Sequence, residues 1–252
     1  MPNAQRWAAL AAAATTLIAV TATGCSSDSD SGKDAGSKAA KAGPSGTPSP
    51  SSSSSSSSPS SGGDAAAIPA GQGPQGSYTV QNQPPPGTCS YRYTAAKEPL
   101  PDPKCTPGAT NPKVTQATLK TTICRSGYTA DIRPGTNITG REKTANAASY
   151  GYKGPLKDAE YDHLISLQLG GDPNDPRNLW VQPPSPGHKA GAGPNNPKDV
   201  VESKLKAAIC SGKTELVKAQ RAIAKDWTTA LSTLGLTNEK PAAKDPKAED
   251  GE

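Results

Sequence analysis

The sequence predicts a small, helix-rich α+β domain, stapled by disulfides and set behind a disordered Ser/Pro-rich stalk. Three observations carry this expectation. The 252 residues include 26 Pro, 25 Gly and no Phe, and only 33% are hydrophobic. That is too little apolar side chain to offset the ordering entropy of the whole chain. The deficit is concentrated in the first 86 residues, which leaves one domain of ordinary size behind it. Four cysteines lie in that remainder, and from residue 160 onward short strand-like apolar pieces give way to helical spacing. The length left for a single domain excludes a multi-domain enzyme, and a polytopic membrane protein is excluded because no apolar run beyond the N-terminus reaches transmembrane length.

Residues 1–24 read as an export signal, with Arg6 before an Ala-rich apolar segment and small residues leading to Gly24. Cys25 directly follows, and the arrangement resembles the lipobox of bacterial lipoproteins. That resemblance implies diacylation of the Cys25 thiol and anchoring at the outer face of the cell membrane, with no transmembrane span left after processing. Residues 25–86 are expected to be a lipid-anchored disordered linker, since the stretch from Ser49 to Ser61 is almost pure Ser broken by Pro. Residues 237–252 read as a charged, disordered tail. The folded domain is therefore expected at 87–236.

In an exported chain, Cys89, Cys105, Cys124 and Cys210 argue for two disulfides, with three connectivities open. Cys89–Cys105 with Cys124–Cys210 is preferred because it staples the Pro-rich entry to itself and the first half of the domain to its C-terminal helices. A zinc site is the rival reading, but there is no Cys-x-x-Cys pair and the histidines are limited to His163 and His188. Between Gly87 and Leu236, 20 Lys+Arg face 13 Asp+Glu. That surplus suits a polyanion, whether nucleic acid or an anionic envelope polymer, and equally suits a solubility role.

Along the domain, Thr115–Cys124 reads as a short helix, Tyr128–Arg133 as a strand and Gly140–Tyr150 as a helix. Leu164, Ile165, Leu167 and Leu169 form an apolar run after the polar pair Asp162-His163, and Gly170-Gly171 followed by Asp-Pro-Asn forces a turn. Asn178-Leu-Trp-Val181 returns as a second apolar piece, so a hairpin-like unit brings Asp162, His163 and Asn178 together. Asn195-Asn196-Pro197 then starts a helix to Ile209. Thr214 caps a last helix running to Leu234, with Leu216, Ala219, Ile223 and Trp227 on its apolar face. Trp180 and Trp227 are expected in the core.

Asp162-His163, an apolar stretch, Gly-Gly and then Asn178-Leu179 resemble the HNH nuclease superfamily, whose core is two strands and a helix around one metal ion. Flanking blocks, among them Thr122-Ile-Cys124, Arg133-Pro134, Cys210-Ser-Gly212 and Asp226-Trp227, resemble an exported bacterial branch of it, over about residues 101–230. The resemblance implies a ββα-metal unit and cleavage of phosphodiester bonds in DNA or RNA. His163 would be the general base, Asp162 a metal ligand and Asn178 the residue holding the His-bearing loop, its side-chain oxygen on the imidazole. Mg²⁺ or Mn²⁺ suits so oxygen-rich a set. The family's helix ligand is missing here: a Pro/Gly-rich insertion, 183–197, intervenes. Glu202 is the choice for the second ligand, with Asp199 behind it and Glu160 supporting from the strand. Lys198 and Glu202, four apart, share a helix face and read equally well as an ordinary surface ion pair. Arg177 and Lys189 flank the block as candidate phosphate contacts. The competing function is a non-catalytic envelope lipoprotein that binds an anionic polymer or a protein; an antibacterial effector is a third.

Overall fold

The computed structural model describes residues 67–242. The export signal, Cys25, the Ser-rich stretch and residues 243–252 lie outside the described residues. The domain is a small mixture of short helices and two antiparallel two-stranded sheets, closed by two disulfides. The first sheet pairs β1 (Arg92–Tyr93) with β2 (Pro99–Leu100). Helices α1 (Tyr128–Ile132) and α2 (Thr136–Ser149) lead to the second sheet, β3 (Glu160–His163) against β4 (Leu179–Gln182). Helices α3 (Lys198–Cys210), α4 (Leu216–Lys225) and α5 (Ala230–Thr233) complete the chain.

Both edges of the packed chain lie outside the 87–236 expected from composition. Residues from Ala67 onward run along the domain as a strap. Gly71 N donates to Thr110 O (2.8 Å), Gly73 N to Asp172 Oδ2 (2.6 Å) and Gln81 N to Glu142 Oε1 (2.7 Å). The strap is held by hydrogen bonds to backbone, carboxylate and amide groups with little apolar burial, so hydrophobic periodicity carried no trace of it. At the other end Ala242 N donates to Ser203 O, and Lys213 pairs with Glu239.

Three expected elements come out differently. Tyr128–Arg133 is a helical turn, because Tyr128, Thr129 and Ile132 all reach the core from one helical face and tertiary burial outweighs their β propensity. Thr115–Cys124 is a chain of turns with a 3₁₀ segment at Leu119–Thr121. The helix expected at Thr214–Leu234 is two. It starts after Thr214, where Gln116 Oε1 accepts Leu216 N (2.9 Å), and breaks at Asp226, which is extended (φ −165°, ψ 105°). The break turns Trp227 inward, where its Nε1 donates to Pro99 O (3.0 Å).

The main core forms where the loop between β3 and β4 meets the C-terminal helices. Ile165, Leu167 and Leu169 pack with Ile123, Leu205, Ile209, Leu216 and Ile223. A second cluster joins Trp180, Tyr150 and the Cys89–Cys105 bridge, with Tyr91 stacked on Tyr150 at 4.7 Å between ring centroids. Cys124–Cys210 closes the longer loop, 86 residues, and so removes the more chain entropy from the unfolded state. The preferred pairing is the one formed.

The long β3–β4 loop is held by Asn178. Its Oδ1 accepts Ile165 N (3.0 Å), and its Nδ2 donates to Ile165 O and Asp172 O (3.0 Å each). Gly170 is left-handed (φ +75°) and ends the 3₁₀ turn Leu167–Leu169. Gly171 is required for space: a Cβ there would overlap the Ile165 carbonyl oxygen and crowd Asn178 Nδ2. Gly171→Ala is expected to destabilise by at least the roughly 1–3 kcal/mol typical of overpacking, read as a lower urea midpoint at unchanged slope.

Candidate functional site

Strand alternation decides how the Asp-His pair is used. β3 and β4 pair Asp162 with Trp180 and His163 with Leu179, so neighbours along β3 face opposite sides. Tyr161 and Val181 pack toward Ala147 of α2, and the His163 ring lies on that side. Asp162 turns the other way, toward the first turn of α3. The structure thus separates the two residues that the sequence places together.

On the α2 side, His163 lines a cavity of about 390 Å³. Arg133, Lys143 and Lys157 line it as well, with Glu160 and Tyr161. Lys143 Nζ is anchored on Ala159 O (2.6 Å), and Glu160 Oε2 accepts Asn196 Nδ2 (2.6 Å). His163 Nε2 lies 3.0 Å from Pro173 O. A carbonyl only accepts, so Nε2 carries the proton and Nδ1 holds the lone pair. Burial, helped by the positive charge of Arg133, pushes the His163 pKa down to about 3. The imidazole is therefore neutral across the physiological range, in a cavity whose charged lining is mostly cationic.

This depression has a signed consequence for stability. Above pH 6.5 the ring is neutral in both the folded and unfolded chain. Between 6.5 and about 3 only the unfolded chain gains the proton, so folding loses about 1.4 kcal/mol per pH unit through this group. Urea titrations of wild type and His163→Gln at pH 6.5 and pH 4 are expected to show wild type losing about 3 kcal/mol more than the variant. Parallel losses would mean that the ring protonates in the fold.

On the α3 side, Lys198, Asp162 and Glu202 form a buried triad. Lys198 Nζ donates to Asp162 Oδ2 (2.7 Å), to His163 O (2.8 Å) and to Glu202 Oε1. Gln168 Nε2 donates to the other Glu202 oxygen (3.2 Å). The Lys198 side chain is fully buried. Burial opposes its charge, but Asp162 and Glu202 outweigh burial and hold its pKa above the ordinary lysine value. Asn196 aligns α3 with the sheet: its Oδ1 accepts both Lys198 N (3.1 Å) and Gln182 Nε2 (2.6 Å), while its Nδ2 reaches Glu160.

The expected residues therefore fall into different places. Asp162 and Glu202 do meet, around an ammonium. Asp199 is exposed on the first turn of α3. Asn178 holds the loop as expected, but its oxygen serves the Ile165 backbone N–H and not the imidazole. Glu160 lies at the cavity wall. Arg177 pairs with Asp175 (Nη2–Oδ2 2.5 Å), and Lys189 is exposed in the insertion, which Asp158 pins by accepting Gly191 N and Gly193 N. The cations that do line the cavity, Arg133, Lys143 and Lys157, come from α2 and its flanks, and only Arg133 stood in a recognisable sequence block.

A divalent ion does not fit the donor set as folded, because all three protons of the Lys198 ammonium are directed at the oxygens that would bind it. Among the described residues no group of three or more His, Cys, Asp and Glu side chains converges. Among the same residues no helix is long and apolar enough to cross a membrane. No family model matches the chain, and comparison with curated proteins and with solved structures returns no match.

Proposed function

We propose that this protein is an exported phosphodiester hydrolase acting on DNA or RNA, anchored to the outer face of the cell membrane through lipid on Cys25. The observation that carries the reading is the His163 imidazole, fixed by Pro173 O with the lone pair left on Nδ1, in a cavity bearing Arg133, Lys143 and Lys157. Cations at the cavity wall attract a phosphodiester and stabilise the charge that builds on its oxygens as phosphorus is attacked. His163 Nδ1 takes a proton from water as the oxygen attacks phosphorus, the P–O bond to the leaving oxygen breaks, that oxygen takes up a proton from solvent, and the imidazolium returns its own proton to solvent. The bound anion offsets the charge of Arg133, the second cause after burial of the lowered basicity of the ring.

The sequence resemblance adds Mg²⁺ or Mn²⁺ at Asp162, Asp199 and Glu202, and the triad geometry argues against that seat. Closure of the triad also favours a second reading, a non-catalytic domain that uses the basic cavity to bind an anionic envelope polymer. Incubating the oxidised protein with plasmid DNA and with RNA, in Mg²⁺, in Mn²⁺ and in EDTA, separates the two. Cleavage that Arg133→Gln and Lys157→Gln weaken supports the hydrolase. Retention of nucleic acid or anionic polymer without cleavage supports the binding domain.

A further inference from the structure

The Asp162–Lys198–Glu202 triad is not used by the hydrolysis described above. An ammonium has three N–H bonds, and here each has one oxygen: a carboxylate from β3, a carboxylate from α3 and the His163 carbonyl. Lys198 is wholly buried, and the two carboxylate side chains are only 6% exposed. Two buried carboxylates require a cation. Three convergent oxygens of this kind would suit a hard divalent ion as well as an ammonium. The ammonium has the advantage of being tethered: Lys198 is four residues from Glu202 on the same helix, and Asn196 fixes the start of that helix against β3 and β4. A metal entering the seat would have to expel a buried lysine that makes three hydrogen bonds there.

We infer that Lys198 is the resident cation of the strand–helix unit, an ammonium in a three-oxygen seat formed by Asp162, Glu202 and the His163 carbonyl that becomes a divalent-metal site when the lysine is removed. The lysine neutralises the carboxylates and ties α3 to β3, so the alignment of the unit needs no metal. This goes beyond the hydrolase reading, and its tests use no cleavage assay. Failure here leaves the role of His163 standing, and failure of the hydrolase reading leaves this one.

The probe is Mn²⁺, titrated into the full oxidised chain and followed by electron paramagnetic resonance of the free ion. Wild type and Asp162→Asn are expected to bind Mn²⁺ equally. Lys198→Ala is expected to gain one site, at least about tenfold tighter than anything in wild type, and to lose it in Lys198→Ala/Asp162→Asn. Mn²⁺ should also raise the melting temperature of Lys198→Ala and leave that of wild type unchanged. The inference is overturned if wild type binds an Mn²⁺ ion that Asp162→Asn weakens about tenfold, or if a folded Lys198→Ala gains no site. Should Lys198→Ala fail to fold, the wild-type chain decides alone through the ¹⁵N resonance of Lys198 Nζ. A slowly exchanging ammonium signal unmoved by millimolar Mg²⁺ supports the inference, and a signal displaced or lost on adding Mg²⁺ overturns it.

Discussion

Lys198→Met is expected to lower the unfolding free energy by about 3–5 kcal/mol, the usual penalty for removing one partner of a buried ion pair. Methionine keeps most of the volume of lysine, so the loss reports charge and hydrogen bonding more than packing. Asp162 and Glu202 would be left facing each other in the interior, and the His163 carbonyl would lose its donor. Burial already raises the Asp162 pKa against the pull of Lys198. Without the pull of Lys198 the Asp162 carboxyl should protonate more readily, so the deficit of the variant is expected to shrink as pH falls from 7 toward 5. Adding Asp162→Asn and Glu202→Gln to Lys198→Met should recover part of the loss, because neutral amides need no cation. Urea denaturation of the three proteins measures this, and a deficit below about 1 kcal/mol would mean that water reaches the carboxylates.

His163→Ala is expected to reduce cleavage by about 10²–10⁴-fold, the range that a positioned general base contributes. Truncation also leaves Pro173 O without its ring donor, so folding needs a separate check by circular dichroism. His163→Gln keeps an N–H donor but has no basic nitrogen. It should retain more stability than His163→Ala while losing as much activity. An equal fall in nucleic-acid affinity and in rate would place His163 among the binding residues.

Much of the architecture was legible in residues 160–210. The Gly170-Gly171 pair, Asn178 and the Asn196-Pro197 start announced a hairpin and a helix because each is tied to a local backbone requirement, and local requirements survive folding. The disulfide pairing formed is the one preferred among the three that the sequence left open. What was not legible depended on tertiary context. The strap 67–86 has no apolar period because backbone, carboxylate and amide groups hold it. Tyr128–Ile132 looked like a strand because its β-favouring side chains gave no hint that one helical face would be buried. The break at Asp226 follows from the indole of Trp227 reaching Pro99, a partner 128 residues away.

The candidate site was half legible for the same reason. Asp162 and His163 were singled out together, and the fold sends them to opposite sides of β3. Strand alternation, which the sequence itself contains, should have warned that adjacent residues of β3 face opposite sides. The ion-pair reading of Lys198 and Glu202 had the right residues but took them for a surface pair, since only Asp162 arriving from β3 makes them a buried triad. Lys143 and Lys157 carried no signal, being ordinary basic residues that become a cavity wall only when α2 packs beside β3.

The central claim is that His163 is the base of a hydrolytic site, and chemical rescue tests it most directly. Wild type and His163→Ala would be assayed on the same supercoiled plasmid and the same RNA, with and without added imidazole. Wild type is expected to cleave, a folded His163→Ala to lose about 10²–10⁴-fold, and imidazole to restore part of the loss by supplying the missing base. Full activity in His163→Ala, or no cleavage by well-folded wild type, would contradict the claim.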